Sequence, residues 1–281
     1  MADRAQEPKR IANVLTIAGL DPSGGAGILA DVKAMSACGT YGMAVVAALT
    51  AQNTCGVSGW QPVAPDFVRA QIDAIFEDIR VDAVKIGMLG TPEVIDAVAE
   101  ALERHRPPFV VLDPVMVAKG GDRLLAKEAE SALCERLLPL TTVITPNLPE
   151  AAVLAGEAEI RERGEMPALA RKLLERLAPD AWVYLKGGHL TESESPDLLL
   201  SRETSLTFEA PRISTKNTHG TGCTLSAAIA AQLGRGESIP EAVRKAKAYV
   251  YEAIAHADEL GVGHGHGPTN HFATLWRNGE L

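Results

Sequence analysis

The 281-residue sequence predicts an α/β protein built on a mostly parallel, doubly wound β-sheet with helices on both faces. Short apolar or β-branched runs, which are typical of strands buried on both faces, recur along the chain. Amphipathic segments with helical periodicity lie between these runs. Strands and helices that alternate in this way favour parallel strands joined by helical crossovers.

Six short apolar runs are expected to form the buried strands. They span residues 14–18, 44–48, 83–86, 109–112, 143–144 and 182–185. Two further runs, residues 197–201 and 204–208, are separated only by Arg202 and Glu203. We expect them to form a hairpin at an edge of the sheet.

Two of the intervening helices are expected over residues 67–76 and 94–102, where apolar side chains recur every three or four positions. Pro65-Asp66 and Thr91-Pro92 are their expected starts. Asp or Thr can cap the free amides of a first turn, and proline fits that turn.

The composition excludes several classes of protein. Hydrophobic residues make up 46% of the chain, which excludes a wholly disordered protein. The net charge of -9 and the absence of a dense Lys/Arg cluster argue against a nucleic-acid partner. Residues 34–65 carry no charge, but Gly, Asn, Gln and Pro interrupt them too often for a bilayer-spanning helix. We interpret this segment as buried structure and expect no membrane partner.

No linker, shift in composition or internal repeat divides the chain. We therefore expect a flexible N-terminal tail over residues 1–10 and a single domain over residues 11–281. The cysteines lie far apart, without C-x-x-C spacing, at Cys38, Cys55, Cys134 and Cys223. This pattern indicates reduced thiols in a cytoplasmic protein.

Polar residues and glycines follow the predicted strands, where parallel sheets bind their ligands. They are Gly19 and Asp21 after the first run, and Met88, Asp113, Asn147 and Lys186 after later runs. The loop that contains Gly24, Gly25 and Gly27 would let a ligand approach main-chain amides. Close strand-to-helix packing is the alternative reading of that loop. A dinucleotide site is disfavoured because no acidic residue follows at the expected distance.

The segment Asn217-Thr218-His219-Gly220-Thr221-Gly222-Cys223-Thr224 precedes an alanine-rich apolar run. It predicts a glycine turn that opens a buried helix. The amides of Gly220, Thr221, Gly222 and Cys223 would converge at the helix N-terminus and favour a phosphate. This position tends to lower the pKa of a thiol, so the Cys223 thiolate is a candidate base for a substrate hydroxyl.

Two other roles for Cys223 remain open. Cys223 could instead be a small buried hydrophobic residue, or a nucleophile assisted by His219.

No Gly-Lys dipeptide occurs, which excludes a P-loop kinase in its usual form. Phosphoryl transfer would then need carboxylates for Mg²⁺ and a cation on the donor phosphates, and Asp113, Glu150 and Lys186 supply these groups.

Six ordered motifs together resemble one known family. They are AGLDPSGGAG at residues 18–27, AQNT at 51–54, KIGM at 85–88, TPNLPE at 145–150, KGGH at 186–189 and HGTGC at 219–223. The sequence resembles the hydroxymethylpyrimidine/phosphomethylpyrimidine kinases of thiamine biosynthesis from about residue 11 to residue 271. The resemblance implies a ribokinase-like fold. It also implies two ATP-dependent phosphorylations, first of 4-amino-5-hydroxymethyl-2-methylpyrimidine and then of its monophosphate.

The same resemblance implies a role for each motif residue. The residues that would hold the pyrimidine are Gly19, Asp31, Gln52 and Met88. Those that would organise Mg²⁺ and ATP are Asp113, Asn147, Glu150 and Lys186. Of these, Asp113 and Glu150 would bind the metal. Gly220, Thr221, Gly222 and Cys223 would form the anion hole. Many ribokinase relatives carry Asp at the position of Cys223.

Two alternative functions remain open. Vitamin B6 kinases share this fold and reaction, and a noncatalytic pyrimidine-binding regulator would keep the same pocket. Gln52 and Met88 favour the pyrimidine, and the complete set of phosphoryl-transfer residues argues against a regulator. We further expect a homodimer.

Overall fold

The computed structural model describes residues 10–116, 127–188, 190 and 196–277, with only the backbone of residue 127. The expected N-terminal tail lies outside this part of the chain except for Arg10. Residue 189 of the KGGH motif also lies outside it, as do residues 117–126, 191–195 and 278–281 of the expected domain.

The strands of the described residues form one nine-stranded sheet, in the order β3-β2-β1-β4-β5-β6-β7-β8-β9. They are β1 (Asn13–Leu20), β2 (Tyr41–Asn53), β3 (Gly56–Pro62), β4 (Ala83–Ile86), β5 (Val110–Leu112), β6 (Val143–Ile144), β7 (Trp182–Leu185), β8 (Asp197–Leu200) and β9 (Ser205–Phe208). All six predicted runs form strands. The expected burial on both faces does not hold for β2, where Ala44 is exposed and Val46 is half-buried. Strands β2, β1, β4, β5, β6 and β7 run parallel.

Antiparallel strands extend the sheet at both edges. The predicted hairpin is confirmed as β8 and β9, which pair antiparallel beyond β7. At the other edge, β3 pairs antiparallel with β2 and was not predicted. All residues of β3 are exposed or half-buried, so the interpretation of residues 34–65 as buried structure is wrong for this strand. An edge strand that faces solvent needs no continuous apolar run, which removes the usual sequence signal.

The helices cover both faces of the sheet. They are α1 (Gly27–Ala37), α2 (Pro65–Asp78), α3 (Pro92–His105), α4 (Lys127–Ala132), α5 (Leu148–Ala155), α6 (Met166–Leu174), α7 (Thr221–Gly234), α8 (Ile239–Ala255) and α9 (Ala273–Arg277). Residues of α1, α7 and α8 pack in one apolar cluster, and residues of α2 to α6 pack in another. Successive strand residues alternate between the two clusters, as Val14 and Leu15 do. The predicted doubly wound sheet with helices on both faces is therefore confirmed.

The two predicted helix starts differ in their caps. Thr91 accepts a hydrogen bond from the Val94 amide and precedes Pro92, so its capping role is confirmed. At α2 the cap position is Ala64, without a side-chain hydrogen bond. Asp66 lies inside the first turn, where its negative charge interacts favourably with the helix dipole. The prediction that Asp66 caps the helix is therefore wrong. In the described part of the chain, no helix is both long enough and apolar enough to cross a bilayer.

Candidate active site

A cavity of about 1110 Å³ opens beyond the carboxyl ends of the parallel strands. Strand β1 lies between β2 and β4, so the order of the strands along the sheet reverses direction at β1. Doubly wound sheets bind their ligands at the point where the strand order reverses. Eleven of the twelve predicted site residues line this cavity. They are Gly19, Gln52, Met88, Asp113, Asn147, Glu150, Lys186, Gly220, Thr221, Gly222 and Cys223.

The two glycine loops pack directly against each other. Gly220 has a φ of +75°, and a Cβ atom on it would collide with the Gly25 carbonyl oxygen. Gly27 has a φ of +57°, and a Cβ atom there would collide with the Gly19 carbonyl oxygen. Only glycine combines this backbone conformation with so close an approach. The N-termini of α1 and α7 are thereby brought to the same part of the cavity.

The N-terminus of α7 has the features of an anion site. Gly220 is the cap residue, and its lack of a side chain leaves the first-turn amides without a side-chain cap. A Cβ atom at Gly222 would lie 3.5 Å from both Asp113 Oδ2 and Lys186 Nζ. The amides at the helix start, the carboxylate and the ammonium therefore meet at one point, where a transferring phosphoryl group could be held.

Cys223 lies in the first turn of α7 and is half-buried. Burial raises the pKa of its thiol to about 11, although the charge of Lys85 and a hydrogen bond from the Gly27 amide act in the opposite direction. The expectation of a lowered pKa is therefore wrong for the free protein. Desolvation of a thiolate, together with the nearby charges of Asp31 and Asp113, outweighs these two favourable contributions. His219 Nε2 is hydrogen-bonded to Asp21, which does not favour the alternative of a nucleophile assisted by His219.

Lys186 and Asp113 form an ion pair next to this helix start. Lys186 Nζ lies 3.4 Å from Asp113 Oδ1, and Asp113 is only 2% exposed. Burial opposes the charge on Lys186, but Asp113 and Glu150 raise the pKa of its ammonium. Ser226 of α7 donates a hydrogen bond to Asp113 Oδ2. The lysine therefore stays protonated and can face phosphate oxygens.

Asn147 and Glu150 form a capping box at the start of α5. The Asn147 side chain accepts from the Glu150 amide, and the Glu150 carboxylate accepts from the Asn147 amide, both at 2.8 Å. Burial raises the pKa of Glu150 to about 7, Lys186 lowers it, and Asp113 raises it further. The second carboxyl group near Asp113 is thus poised between its two protonation states at neutral pH.

Asp31 is the one predicted site residue that does not line the cavity. It is fully buried, and its Oδ2 accepts hydrogen bonds from Thr16 Oγ1 at 2.6 Å and Lys85 Nζ at 2.8 Å. The Asp31 carboxylate lies behind the residues that line the cavity, and its expected contact with the pyrimidine stays a prediction. Its Oδ1 is buried without a hydrogen-bond partner.

Lys85 also lines the cavity, although it was not predicted as a site residue. Burial opposes its charge, yet Asp31, Cys223 and Asp113 hold its pKa above the usual value. The sequence did contain a signal. A lysine inside the buried run Ala83–Ile86 requires an anionic partner, because an unpaired buried charge is too costly.

The opposite end of the cavity is less charged. Met88 is buried and packs with Ala48, and its Sδ would lie 3.2 Å from a Cβ atom at Gly19. Gln52 is half-buried and close to His219. A flat polar ring could place one face on Met88 and one edge on Gln52.

Comparison with known proteins agrees with this geometry. The family model described as phosphomethylpyrimidine kinase matches residues 21–270. Over 264 residues the chain is 54% identical to the hydroxymethylpyrimidine/phosphomethylpyrimidine kinase of Salmonella typhimurium, which covers 94% of this chain and 98% of that protein.

Two solved structures extend the comparison. The Bacillus subtilis pyridoxal kinase in an ADP complex matches with a TM-score of 0.86 at 37% identity. The match covers 95% of this chain and 100% of the pyridoxal kinase chain. A phosphomethylpyrimidine kinase from Clostridium difficile has a TM-score of 0.77 at 42% identity, with coverages of 87% and 100%. These similarities confirm the predicted ribokinase-like fold. This chain belongs to the phosphomethylpyrimidine kinase family.

Proposed function

We propose that this chain is a single-domain kinase that uses ATP to phosphorylate 4-amino-5-hydroxymethyl-2-methylpyrimidine and then its monophosphate, in thiamine biosynthesis. One observation carries the proposal. The anion-binding start of α7, with Asp113 and Lys186 against Gly222, opens into the same cavity as Gln52 and Met88. A phosphate donor and a pyrimidine acceptor can therefore meet beside Cys223.

The acceptor end is proposed to hold the pyrimidine through Gln52, Met88 and Gly19. Gln52 can donate to a ring nitrogen and accept from an exocyclic amine, while Met88 supplies a polarizable apolar wall. Gly19 leaves room for the ring, since a Cβ atom there would already crowd the Met88 sulfur.

Cys223 is proposed as the base that removes the proton of the substrate hydroxyl. Its raised pKa means that little thiolate exists at neutral pH, but a thiolate that does form is a strong proton acceptor. Lys85 is the cation that favours the thiolate, and its charge is in turn held by Asp31. This arrangement gives Asp31 a role behind the substrate site.

The donor end is proposed to bind Mg²⁺-ATP through Asp113, Asn147, Glu150 and Lys186. Within the described residues no group of three His, Cys, Asp or Glu side chains could hold a metal by itself. Asp113 raises the pKa of the Glu150 carboxyl, and two neighbouring hard carboxylates nevertheless fit Mg²⁺, which usually takes one or two carboxylates together with phosphate and water oxygens. Asp113 and Glu150 would hold the ion, which when bound would neutralise charge on the phosphates.

The decisive experiment measures ATP consumption with and without the pyrimidine alcohol, while phosphorus NMR follows the monophosphate and the diphosphate. We expect ATP use that depends on the alcohol and yields both products in sequence. Lys186→Ala is the control and should use ATP much more slowly. Tight pyrimidine binding without ATP use would indicate a regulator. Strong competition by pyridoxal, with faster phosphorylation of pyridoxal, would indicate a vitamin B6 kinase.

We also propose that the protein is a cytoplasmic homodimer. Tyr41 and Leu49 of β2 are 60% and 47% exposed, and such apolar residues near a sheet edge support an interface between copies. Sedimentation equilibrium measures the oligomeric state directly, and a monomer at micromolar concentration would contradict the dimer.

A further inference from the structure

The side chains of Asp21, His219 and Gln52 form a contact between three separate segments at the cavity. His219 Nε2 lies 2.9 Å from Asp21 Oδ2 and 3.4 Å from the amide nitrogen of Gln52. Asp21 and His219 are 2% and 8% exposed, so water cannot replace these partners freely. The three residues come from the loop after β1, the turn before α7, and β2.

Asp21 determines which atom of His219 carries a proton. Burial opposes its charge, but hydrogen bonds from His219 and Ser23 lower the pKa of the carboxyl, so it is ionised and only accepts. Nε2 of His219 must therefore donate to Asp21, whether the ring is neutral or charged. Any other group that approaches Nε2 must then be an acceptor.

This requirement orients the Gln52 amide. Its oxygen and nitrogen have nearly the same shape, and their assignment follows from their partners. With nitrogen toward His219, two donors face each other, and the single Thr50 hydroxyl proton must serve both Leu20 O at 3.0 Å and Gln52 Oε1 at 3.2 Å. With the amide rotated, the two donors no longer face each other, and the single His219 Nε2–H is shared between Asp21 Oδ2 and the more distant Gln52 Oε1. The amide nitrogen then donates to Thr50 Oγ1, which leaves the Thr50 proton for Leu20 O alone.

We propose that the Asp21–His219 pair is a positioning element for the side-chain amide of Gln52. The pair holds the Gln52 oxygen toward the turn before α7, which contains His219, and holds the Gln52 nitrogen toward Thr50. This assignment rests on the proposed function and deepens it, because it sets the orientation of the substrate. The ligand must place an N–H donor on the His219 side and a ring acceptor on the Thr50 side. In 4-amino-5-hydroxymethyl-2-methylpyrimidine, the amine lies between the ring nitrogen and the hydroxymethyl group. The proposed orientation therefore directs the hydroxymethyl group toward the turn that leads into Cys223.

The test compares kcat/KM for this substrate and its 4-oxo analogue, which has an acceptor in place of the amine and an N–H at the neighbouring ring position. The 4-oxo compound should be phosphorylated roughly 100-fold or more less efficiently by the wild type, because two buried hydrogen bonds become mismatched. In His219→Leu, the Gln52 amide can rotate, so the preference should fall to about tenfold or less. His219→Gln keeps a donor toward Asp21 and should recover most of the preference.

A full preference in His219→Leu, or a His219→Gln variant no more selective than His219→Leu, would overturn the proposal. NMR of the wild type gives a measurement that needs no His219 variant. The side-chain NH₂ of Gln52, assigned by its loss in Gln52→Ala, should show a nuclear Overhauser effect to Thr50 and not to the His219 ring. An effect to the ring alone would refute the orientation.

The proposed function and this inference fail in different ways. If neither alcohol is phosphorylated, the proposed function is wrong. If the 4-amino compound is phosphorylated but the 4-oxo compound is used equally well, the function stands and the positioning role is refuted.

Discussion

Lys85 Nζ donates a 2.8 Å hydrogen bond to Asp31 Oδ2, and both side chains are completely buried. The pair joins β4 to α1 behind the wall of the cavity. Asp31 also accepts from Thr16 of β1, so the carboxylate connects three elements of the fold. Because Lys85 itself lines the cavity, a charge anchored in the core acts on the site where chemistry is proposed.

Removal of one partner of this pair should be costly. Lys85→Met leaves the Asp31 carboxylate buried without its cation, and we expect a loss of about 3–5 kcal/mol in the free energy of unfolding. Adding Asp31→Asn removes the buried charge while keeping an acceptor for Thr16, and it should recover much of that loss. Urea denaturation of both variants measures the effect. A loss below about 1 kcal/mol in Lys85→Met would show that the pair contributes little.

The proposed base predicts a specific pH profile. The pKa of the thiol is about 11. At pH values below this pKa, the thiolate fraction increases tenfold for each unit by which the pH is raised. For the alcohol substrate, log kcat/KM should therefore rise with a slope near one between roughly pH 7.5 and 9.5. In Cys223→Asp the carboxylate is already ionised in this range, so the profile should be flat. A flat profile in the wild type would contradict proton removal by the thiolate of the free enzyme.

The two acceptors should respond differently to the same substitution. The attacking phosphate oxygen of the monophosphate is already ionised at neutral pH and has no hydroxyl proton to lose. Cys223→Ala should slow phosphorylation of the alcohol by about 10²–10⁴-fold and that of the monophosphate much less, while pyrimidine binding is largely kept. Single-turnover rates measure both steps, and Cys38→Ala controls for loss of a buried cysteine elsewhere. Equal losses on both acceptors would assign Cys223 to the geometry of the anion hole.

Lys186 should show the opposite dependence. In the second step two anions approach each other, and the Lys186 ammonium can stabilise the charge that spreads over the transferring group. We expect Lys186→Ala to slow phosphorylation of the monophosphate at least as strongly as that of the alcohol. Single-turnover rates at saturating ATP measure this ratio. A larger loss on the alcohol would contradict the proposed role.

Glu150 should make stability depend on pH in the absence of nucleotide. Its pKa is raised to about 7 in the folded protein from 4.5, so its contribution to stability is complete below pH 4.5 and is lost as the pH rises through about 7. Glu150→Gln keeps an acceptor for the Asn147 amide and cannot ionise. Relative to this variant, the wild type should lose up to about 3 kcal/mol between roughly pH 5 and 8.

The free energy of unfolding across this pH range, with the exposed Glu175→Gln as a control for the loss of one charge, tests the expectation for Glu150. If the free energy of unfolding of the wild type changes with pH in the same way as that of Glu150→Gln, the pKa of Glu150 is not raised in the folded protein.

The strand ends were predictable because a parallel sheet places all of them at one edge. Asp113, Asn147 and Lys186 follow three different strands, and their convergence needs only the fold class. The glycine turn at residues 220–222 was predictable for a similar reason, since its role depends on the local start of a helix. The edge strand β3 was not, because no apolar pattern marks it.

The sequence by itself determined the alternation of strands and helices, the two glycine loops and the residues at the strand ends, because short-range periodicity and backbone conformation control them. Only the tertiary structure decided which polar groups are paired. Lys85 meets Asp31 across 54 residues, and His219 meets Asp21 across 198. It also decided that the pKa of Cys223 rises, because desolvation depends on everything packed around the sulfur, and the local helix N-terminus is only one part of that environment.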